Sequence, residues 1–523
     1  MSPLPPAASI DPLSLSAPEL VELQAQGRLT AEELARRCLE RLAASQPTLN
    51  AVTHLRREAA LEEARALDAR RLRGEPLGPL HGVPLTVKDC LDVKGMPSTF
   101  GLPSRAQVLA AEDNPVVARL RAAGAVIIAK TNVAQALAFH ETENPLFGRT
   151  NHPASSERSP GGSSGGEAAA LAAQGSVLGV GTDIGGSVRV PAHSCGLVGF
   201  KPGSGTLDDP GRFSFAFGQR AIPSQVGFLG RDVATVRLGF QVATGQRAPD
   251  LDWRGVTVAT FEDDGWLAPC PASRRAVREA AAALTAAGAT VRPMPAFEFE
   301  EALHLFFGLL SSDALAGLVR RAKGDPLDPR IAKLRQVAAA GPLLRSVLTH
   351  VVAMSGRRKL ATTFRAYGRG SADEYFTLVE RLEALRSTAR AALGDARFLL
   401  SPSYALPALR HGASAELIVA GVYVVLFNVL GWPAGVIPWT AVRSGEESAR
   451  VDDGDLMTRA AMETERGSAG LPIGVQLSAL PGDDAGALAA MEALARLRPH
   501  ESRVSHRDSL GAHWSAQSGD RLA

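Results

Sequence analysis

Three residues of this 523-residue chain stand in settings suited to nucleophilic chemistry. Ser163 lies within Gly161-Gly162-Ser163-Ser164-Gly165-Gly166. Ser187 closes the run Gly181-Thr182-Asp183-Ile184-Gly185-Gly186-Ser187, and Lys88 follows Val83-Pro84-Leu85-Thr86-Val87. Two hydroxyls and a neutral amine can pass a proton in series, so an activated serine needs no histidine here. That chemistry suits acyl transfer from an amide. Gly185 and Gly186 let the backbone aim N–H groups at one point with no Cβ in the way, which binding an oxyanion requires. The first glycine-serine run is linker-like in composition. Yet it leads straight into Glu167-Ala168-Ala169-Ala170-Leu171. This places it at a helix N-terminus, where unpaired N–H groups and the helix dipole favour negative charge.

Rival chemistries fit less well. A phosphate cradle needs a lysine and a hydroxyl after its glycines, and Val188-Arg189 stand there instead. Residues 162–166 also match G-x-S-x-G with Ser164 central, but that elbow requires a preceding strand. Pro153 to Pro160, reading PASSERSP, cannot be a buried strand. Pattern alone reads Lys88 as a solvent-facing residue on a strand edge, because lysine is rarely buried without a partner. Asp183 and Arg189 flank Ser187 and are expected to fix its turn. Thr182 is expected to support it, and Ser164 to hydrogen-bond within the same network. His193 and Cys195 are expected to be buried structural residues.

These residues need elements to position them. Ser16 with Glu19, and Thr30 with Glu33, read as capping boxes opening helices in the first 73 residues. Val83, Leu85 and Val87 alternate as in a strand. Asn114-Pro115 opens a helix that Gly124 ends, and Ala125 to Ala129 forms a strand. The order repeats with a helix over Gly165 to Gln174 and an extended run over Ser176 to Val180. Such alternation argues for an α/β fold. Residues 297–395 read as mostly helical, with apolar patches at Leu303 to Leu310 and Leu343 to Met354 that suit core stripes or the lining of an acyl pocket. Residues 444–469 read as a solvated excursion, Gly470 to Leu477 as a strand, 484–497 as a helix, and the last 20 residues as polar and loose.

Composition narrows the function classes. Lys plus Arg total 56 and Asp plus Glu 54, a formal net charge of +2 that gives no support for a nucleic-acid surface. The four cysteines form no CxxC pair and read as reduced thiols. MSPLPPAASI lacks the basic and apolar regions of a signal peptide, so a cytoplasmic location is expected. Leu417 to Thr440 carries no charge but holds glycine and proline breakers, which suit a helix, a turn and a strand better than a membrane span.

Residues 81–201, with Asn428 to Pro438 and Gly470 to Gln476, resemble the amidase signature family, nearest its fatty acid amide hydrolase-like branch. Lys130-Thr131-Asn132-Val133-Ala134-Gln135 and Asn144-Pro145-Leu146-Phe147-Gly148-Arg149-Thr150-Asn151 add to the likeness, as does Phe427-Asn428-Val429-Leu430 before Pro433-Ala434-Gly435-Val436. The resemblance implies one domain over residues 1–523, its core at about 10–500 and its variable helical pocket or cap region at about 297–395. It implies an α/β fold with a large mixed, twisted sheet surrounded by helices. It also implies a Ser–cis-Ser–Lys triad, with Ser187 as nucleophile, Ser163 as bridging serine after a cis peptide bond, and Lys88 as base. Ile184, Gly185, Gly186 and Ser187 would offer oxyanion-hole N–H groups. The expected activity is hydrolysis of a carboxylic amide through an acyl-enzyme, with no metal or organic cofactor. The expected partner is a small-molecule amide, without nucleic acid or a stable membrane anchor, and with a homodimer as one assembly. Two alternatives stay open: an amidotransferase A-type subunit supplying ammonia for tRNA-linked amidation, and a non-catalytic binding protein of the same fold. Gly203-Ser204-Gly205 after Phe200-Lys201-Pro202 departs from the threonine usual in the family and speaks against the first. An intact lysine and serine pair speaks against the second.

Overall fold

Short runs rich in β-branched and aliphatic residues form strands wherever glycine, proline or a helix cap interrupts the helical segments. The computed structural model describes residues 11–207, 219–295, 297–368 and 370–499. Its strands are β1 (Val52–Leu55), β2 (Pro84–Lys88), β3 (Val126–Thr131), β4 (Glu143–Asn144), β5 (Gly148–Arg149), β6 (Leu178–Asp183), β7 (Val198–Lys201), β8 (Gln225–Gly230), β9 (Thr257–Thr260), β10 (Thr290–Pro293), β11 (Phe398–Pro402), β12 (Ala434–Ala441) and β13 (Pro472–Ala479). Eleven of them make one sheet in the order β1-β3-β2-β6-β8-β7-β12-β13-β11-β9-β10, and β4 pairs with β5 apart from it. The sheet is mixed. β2 runs parallel to β3 and β6, β9 runs parallel to β10 and β11, and the remaining neighbours are antiparallel. Helices cover it, which is why the inner strands are buried along their whole length.

The position of β2 corrects the edge reading of Lys88. The strand lies between β3 and β6, all five of its residues are buried, and Lys88 is 0% exposed. β6 extends to Asp183, three residues beyond the expected Val180, because Gly181, Thr182 and Asp183 continue the ladder with β8.

Helix starts follow their caps. The Glu19 carboxylate accepts from both the N–H and the hydroxyl of Ser16, the Thr30 hydroxyl accepts from the Glu33 N–H, and Asn114 caps Pro115–Ala122. Between β10 and β11 the chain is helical, as expected, in Phe299–Ser311, Ala316–Ala322, Pro329–Ala339, Pro342–Met354, Arg358–Ala366 and Ala372–Leu393. Its two apolar patches part company. Leu303, Leu305, Phe306, Phe307 and Leu309 are buried. Leu343, Leu344, Val347, Val351 and Met354 are each more than half exposed, so this second patch is a surface face, neither core stripe nor pocket wall. The stretch read as a solvated excursion also needs correction. It contains the helix Leu456–Glu465, whose Met457 and Ala461 join the core around Phe306 and Tyr423.

Leu417 to Thr440 breaks into a 3-10 turn, Ile418–Gly421, the helix Val422–Val429 and strand β12. Among the described residues no single helix is long and apolar enough to cross a membrane. One bent pair, Phe299–Ser311 with Ala316–Ala322, passes by length and composition alone. The first ten residues and those after Pro499, including the polar tail, lie outside the described residues.

Candidate active site

Lys88 owes its setting to β2. Thr86 and Lys88 face the same side, while Val83, Leu85 and Val87 fill the core. The Lys88 amine donates to Thr182 O at 3.1 Å and Thr182 Oγ1 at 2.9 Å, and contacts Ser163 Oγ at 2.8 Å. No carboxylate forms an ion pair with it among the described residues. Burial pushes its pKa down to about 8, against upward pulls from Cys90, Asp183 and Glu167. Only the Thr182 carbonyl is necessarily an acceptor, and both hydroxyls can donate or accept, so a neutral amine fits the site. Its two N–H groups serve Thr182 and its lone pair faces the Ser163 hydroxyl. Below it the Glu167 carboxylate accepts from the Thr86 and Thr131 hydroxyls, both at 2.6 Å, and burial raises its pKa to about 7.

Ser163 and Ser164 lie where the loop from Pro160 enters the helix Gly165–Ala172, and the Gly162–Ser163 peptide bond is cis. Gly162 is needed for close packing: a Cβ there would stand 2.2 Å from the Glu141 carbonyl oxygen. The Ser164 N–H donates to the Ser187 carbonyl at 3.2 Å, which ties the two serine turns together. Ser164 thus hydrogen-bonds within the network through its backbone, and its side chain takes no part. Its buried hydroxyl makes no hydrogen bond among the described residues. No strand precedes Ser164, so the elbow geometry is absent.

Ser187 sits in the turn between β6 and the helix Arg189–Cys195. Asp183 organises that turn. Its carboxylate accepts from the N–H groups of Gly186 at 2.8 Å and Val188 at 3.1 Å, and from Asn428 Nδ2 at 2.9 Å. Arg189 grips it through Nε and Nη2, both at 3.0 Å, and reaches Asn428 Oδ1 at 2.6 Å and Gln476 Oε1 at 2.8 Å. Both partners of this ion pair are 0% exposed. Burial alone would raise the pKa of Asp183, but Arg189, Lys201 and Asn428 outweigh it and hold the carboxyl well below the usual range.

One of the four expected oxyanion donors is engaged. The Gly186 N–H already serves Asp183. The N–H groups of Ile184, Gly185 and Ser187 make no hydrogen bond among the described residues. The Ser187 hydroxyl likewise makes none. His193 and Cys195 are buried structural residues, as expected: His193 bonds to Ser403, Leu406 and Gly474.

Ser187, Ile184 and Gly185 open onto a pocket of about 110 Å³, the space open to the centre of a water-sized sphere. Phe306, Phe307 and Leu310 line it from the first apolar patch, with Leu318, Ile331 and Leu334 from the next two helices. Residues 343–354 do not reach it. Sequence reading missed His140 and Tyr404. The His140 ring stands in the pocket wall, 2.8 Å from the Gly185 carbonyl oxygen and 3.2 Å from the Tyr404 hydroxyl. It missed Lys130 too, a second buried lysine whose amine donates to Asp89 O, Pro97 O and Ser98 Oγ. No local signal could have found the His140–Tyr404 pair, since its members come from distant parts of the chain. No group of three or more potential metal ligands occurs among the described residues.

Comparison with known proteins agrees over most of the chain. The family model Amidase matches residues 33–488. Fatty-acid amide hydrolase 1 of Sus scrofa is 33% identical over 510 residues, covering 93% of this chain and 86% of that protein. Fatty acid amide hydrolase 1 of Caenorhabditis elegans is 30% identical over 485 residues, covering 88% of this chain and 84% of its own length. A solved fatty acid amide hydrolase superposes with a TM-score of 0.79 at 23% identity, over 95% of this chain and 86% of that one, a likeness of fold.

Proposed function

Because this chain belongs to the amidase family, enzymes acting on the carbon–nitrogen bonds of amides, we propose that it is a serine amidase working through Lys88, Ser163 and Ser187. The observation that carries the reading is the buried Lys88 amine, 2.8 Å from Ser163 and paired with no carboxylate. Neutral Lys88 takes the Ser163 proton while Ser163 takes that of Ser187. The Ser187 oxygen bonds to the amide carbonyl carbon, and the resulting oxyanion meets the Ile184, Gly185 and Ser187 N–H groups. The carbon–nitrogen bond then breaks, the proton leaves with the amine or ammonia, and water hydrolyses the acyl-enzyme. The apolar pocket favours an amide whose acyl part is an aliphatic chain or an aryl group.

The test is hydrolysis of a panel from acetamide through anilides to long-chain acyl amides, by wild type and Ser187→Ala in parallel. Wild type should turn over amides with apolar acyl groups faster than acetamide, and Ser187→Ala should lose at least about 10⁴-fold. Equal rates from the two proteins would overturn the reading.

A further inference from the structure

The Gly185–Gly186 peptide unit is held at both ends. Its N–H donates to Asp183 Oδ1 at 2.8 Å. Its C=O lies 2.8 Å from His140 Nε2. A carbonyl oxygen cannot donate, so Nε2 carries the imidazole proton. In the neutral ring Nδ1 is then an acceptor, and the Tyr404 hydroxyl at 3.2 Å is its donor. The chain is therefore directional: Tyr404 O–H to His140 Nδ1, His140 Nε2–H to Gly185 O. Burial lowers the His140 pKa and favours this neutral form.

Packing shows that the site is built around the ring. A Cβ on Gly421 would lie 2.5 Å from His140 Cε1, and one on Gly185 would lie 2.8 Å from Phe306 Cζ. The Tyr404 ring meets the His140 ring edge-on at 5.6 Å between centroids. Nothing in the proposed proton relay uses either residue.

We infer that His140, backed by Tyr404, is a positioning residue: it fixes the orientation of the Gly185–Gly186 peptide so that the neighbouring Gly185 and Ser187 N–H groups stand ready for the oxyanion. Without the imidazole, only Asp183 would hold that peptide, and the plane could turn about the glycine bonds, which carry no Cβ to resist it. Pre-set donors act in the transition state and need no rearrangement as charge develops. The inference rests on the acyl-enzyme reading of Ser187.

The experiment uses His140→Ala, His140→Gln and Tyr404→Phe with the best amide from the panel. It also uses a trifluoromethyl ketone bearing the same acyl group, which mimics the tetrahedral adduct. In His140→Ala, kcat should fall about 10–100-fold with KM within about 3-fold, since displaced donors lower rate more than substrate binding. Affinity for the trifluoromethyl ketone should fall by the same factor as kcat/KM, while affinity for the product acid stays unchanged. His140→Gln, whose amide N–H can reach the same carbonyl, should recover most of the rate. Tyr404→Phe should lose less, about 3–10-fold, in the same pattern. Full activity in His140→Ala, or equal weakening of ketone and product acid, would overturn the inference. If His140→Ala does not fold, a Tyr404→Phe enzyme that matches wild type in kcat and in affinity for the ketone overturns it. A wild type that hydrolyses no amide and ignores the ketone would instead defeat the acyl-enzyme reading itself.

Discussion

At the scale of single residues, the chemistry turns on one amine. Lys88 can accept a proton only when neutral, and burial holds its pKa at about 8, below the 10.5 usual for lysine. Acylation should therefore rise with pH through about 8 and then level off, measured as kcat/KM on a good amide. Lys88→Ala should lower kcat/KM by about 10²–10⁴ at pH 7, the usual range for a general base. It should regain activity steadily as pH rises and hydroxide replaces the missing base. A loss that is the same at every pH would count against the base role. The sequence singled out Lys88 and both serines as candidates, because each ends or interrupts a recognisable local pattern. Pattern alone misjudged the surroundings of Lys88, because burial depends on β3 and β6, which come from residues far along the chain. Ser164 shows the same limit. It shares its glycine-rich run with Ser163, yet the backbone turns its hydroxyl away from any partner.

At the scale of elements, the turn after β6 is the structure on which Ser187 depends. Asp183, Arg189, Asn428 and Gln476 bring three distant segments together there. Local sequence placed Asp183 and Arg189 beside the turn, and the resemblance pointed to Asn428 and Gln476 only as parts of matching segments. Replacing Asp183 by Asn would leave the Arg189 charge buried without its counter-ion. Thermal or urea unfolding should show a loss of about 3–5 kcal/mol, the usual effect of removing one partner of a buried pair. Gly186 has φ +104°, and a Cβ there would stand 2.4 Å from Val424 Cγ2. Gly186→Ala should therefore lower both stability and kcat. Adding Val424→Ala should ease the clash and restore only part of the stability, because the Val424 Cβ would still stand 2.8 Å away and a left-handed residue costs about 1–2 kcal/mol. The pocket wall was half legible: the 303–310 stripe reaches it, whereas an equally apolar stripe at 343–354 lies on the surface. Periodicity reveals an apolar face but not what the face meets.

At the scale of the whole molecule, function and stability pull apart at Lys88. Its pKa is lower in the folded state, so between about pH 8 and 10.5 the unfolded chain binds more protons and stability rises with pH. Below pH 8 the full destabilisation applies. Lys201, lowered to about 7 by burial, titrates in an overlapping range, so only a difference measurement isolates Lys88. The stability of wild type relative to Lys88→Met should rise by about 2 kcal/mol from pH 7 to 9.5, read from urea unfolding. A pH-independent difference would mean that Lys88 is not buried as an amine. The alternating helix and strand pattern gave the α/β class. The order of the eleven-stranded sheet, with β2 and β6 adjacent as its third and fourth strands, is a long-range property that no local pattern encodes.

The most direct test is to treat the protein with a fluorophosphonate, measure its intact mass, and map the modified peptide. The expected result is one adduct per chain, on Ser187, absent from Ser187→Ala and retained in Ser164→Ala. An adduct on Ser163 or Ser164, or no adduct in a protein that still hydrolyses amides, would contradict the assignment of Ser187 as nucleophile.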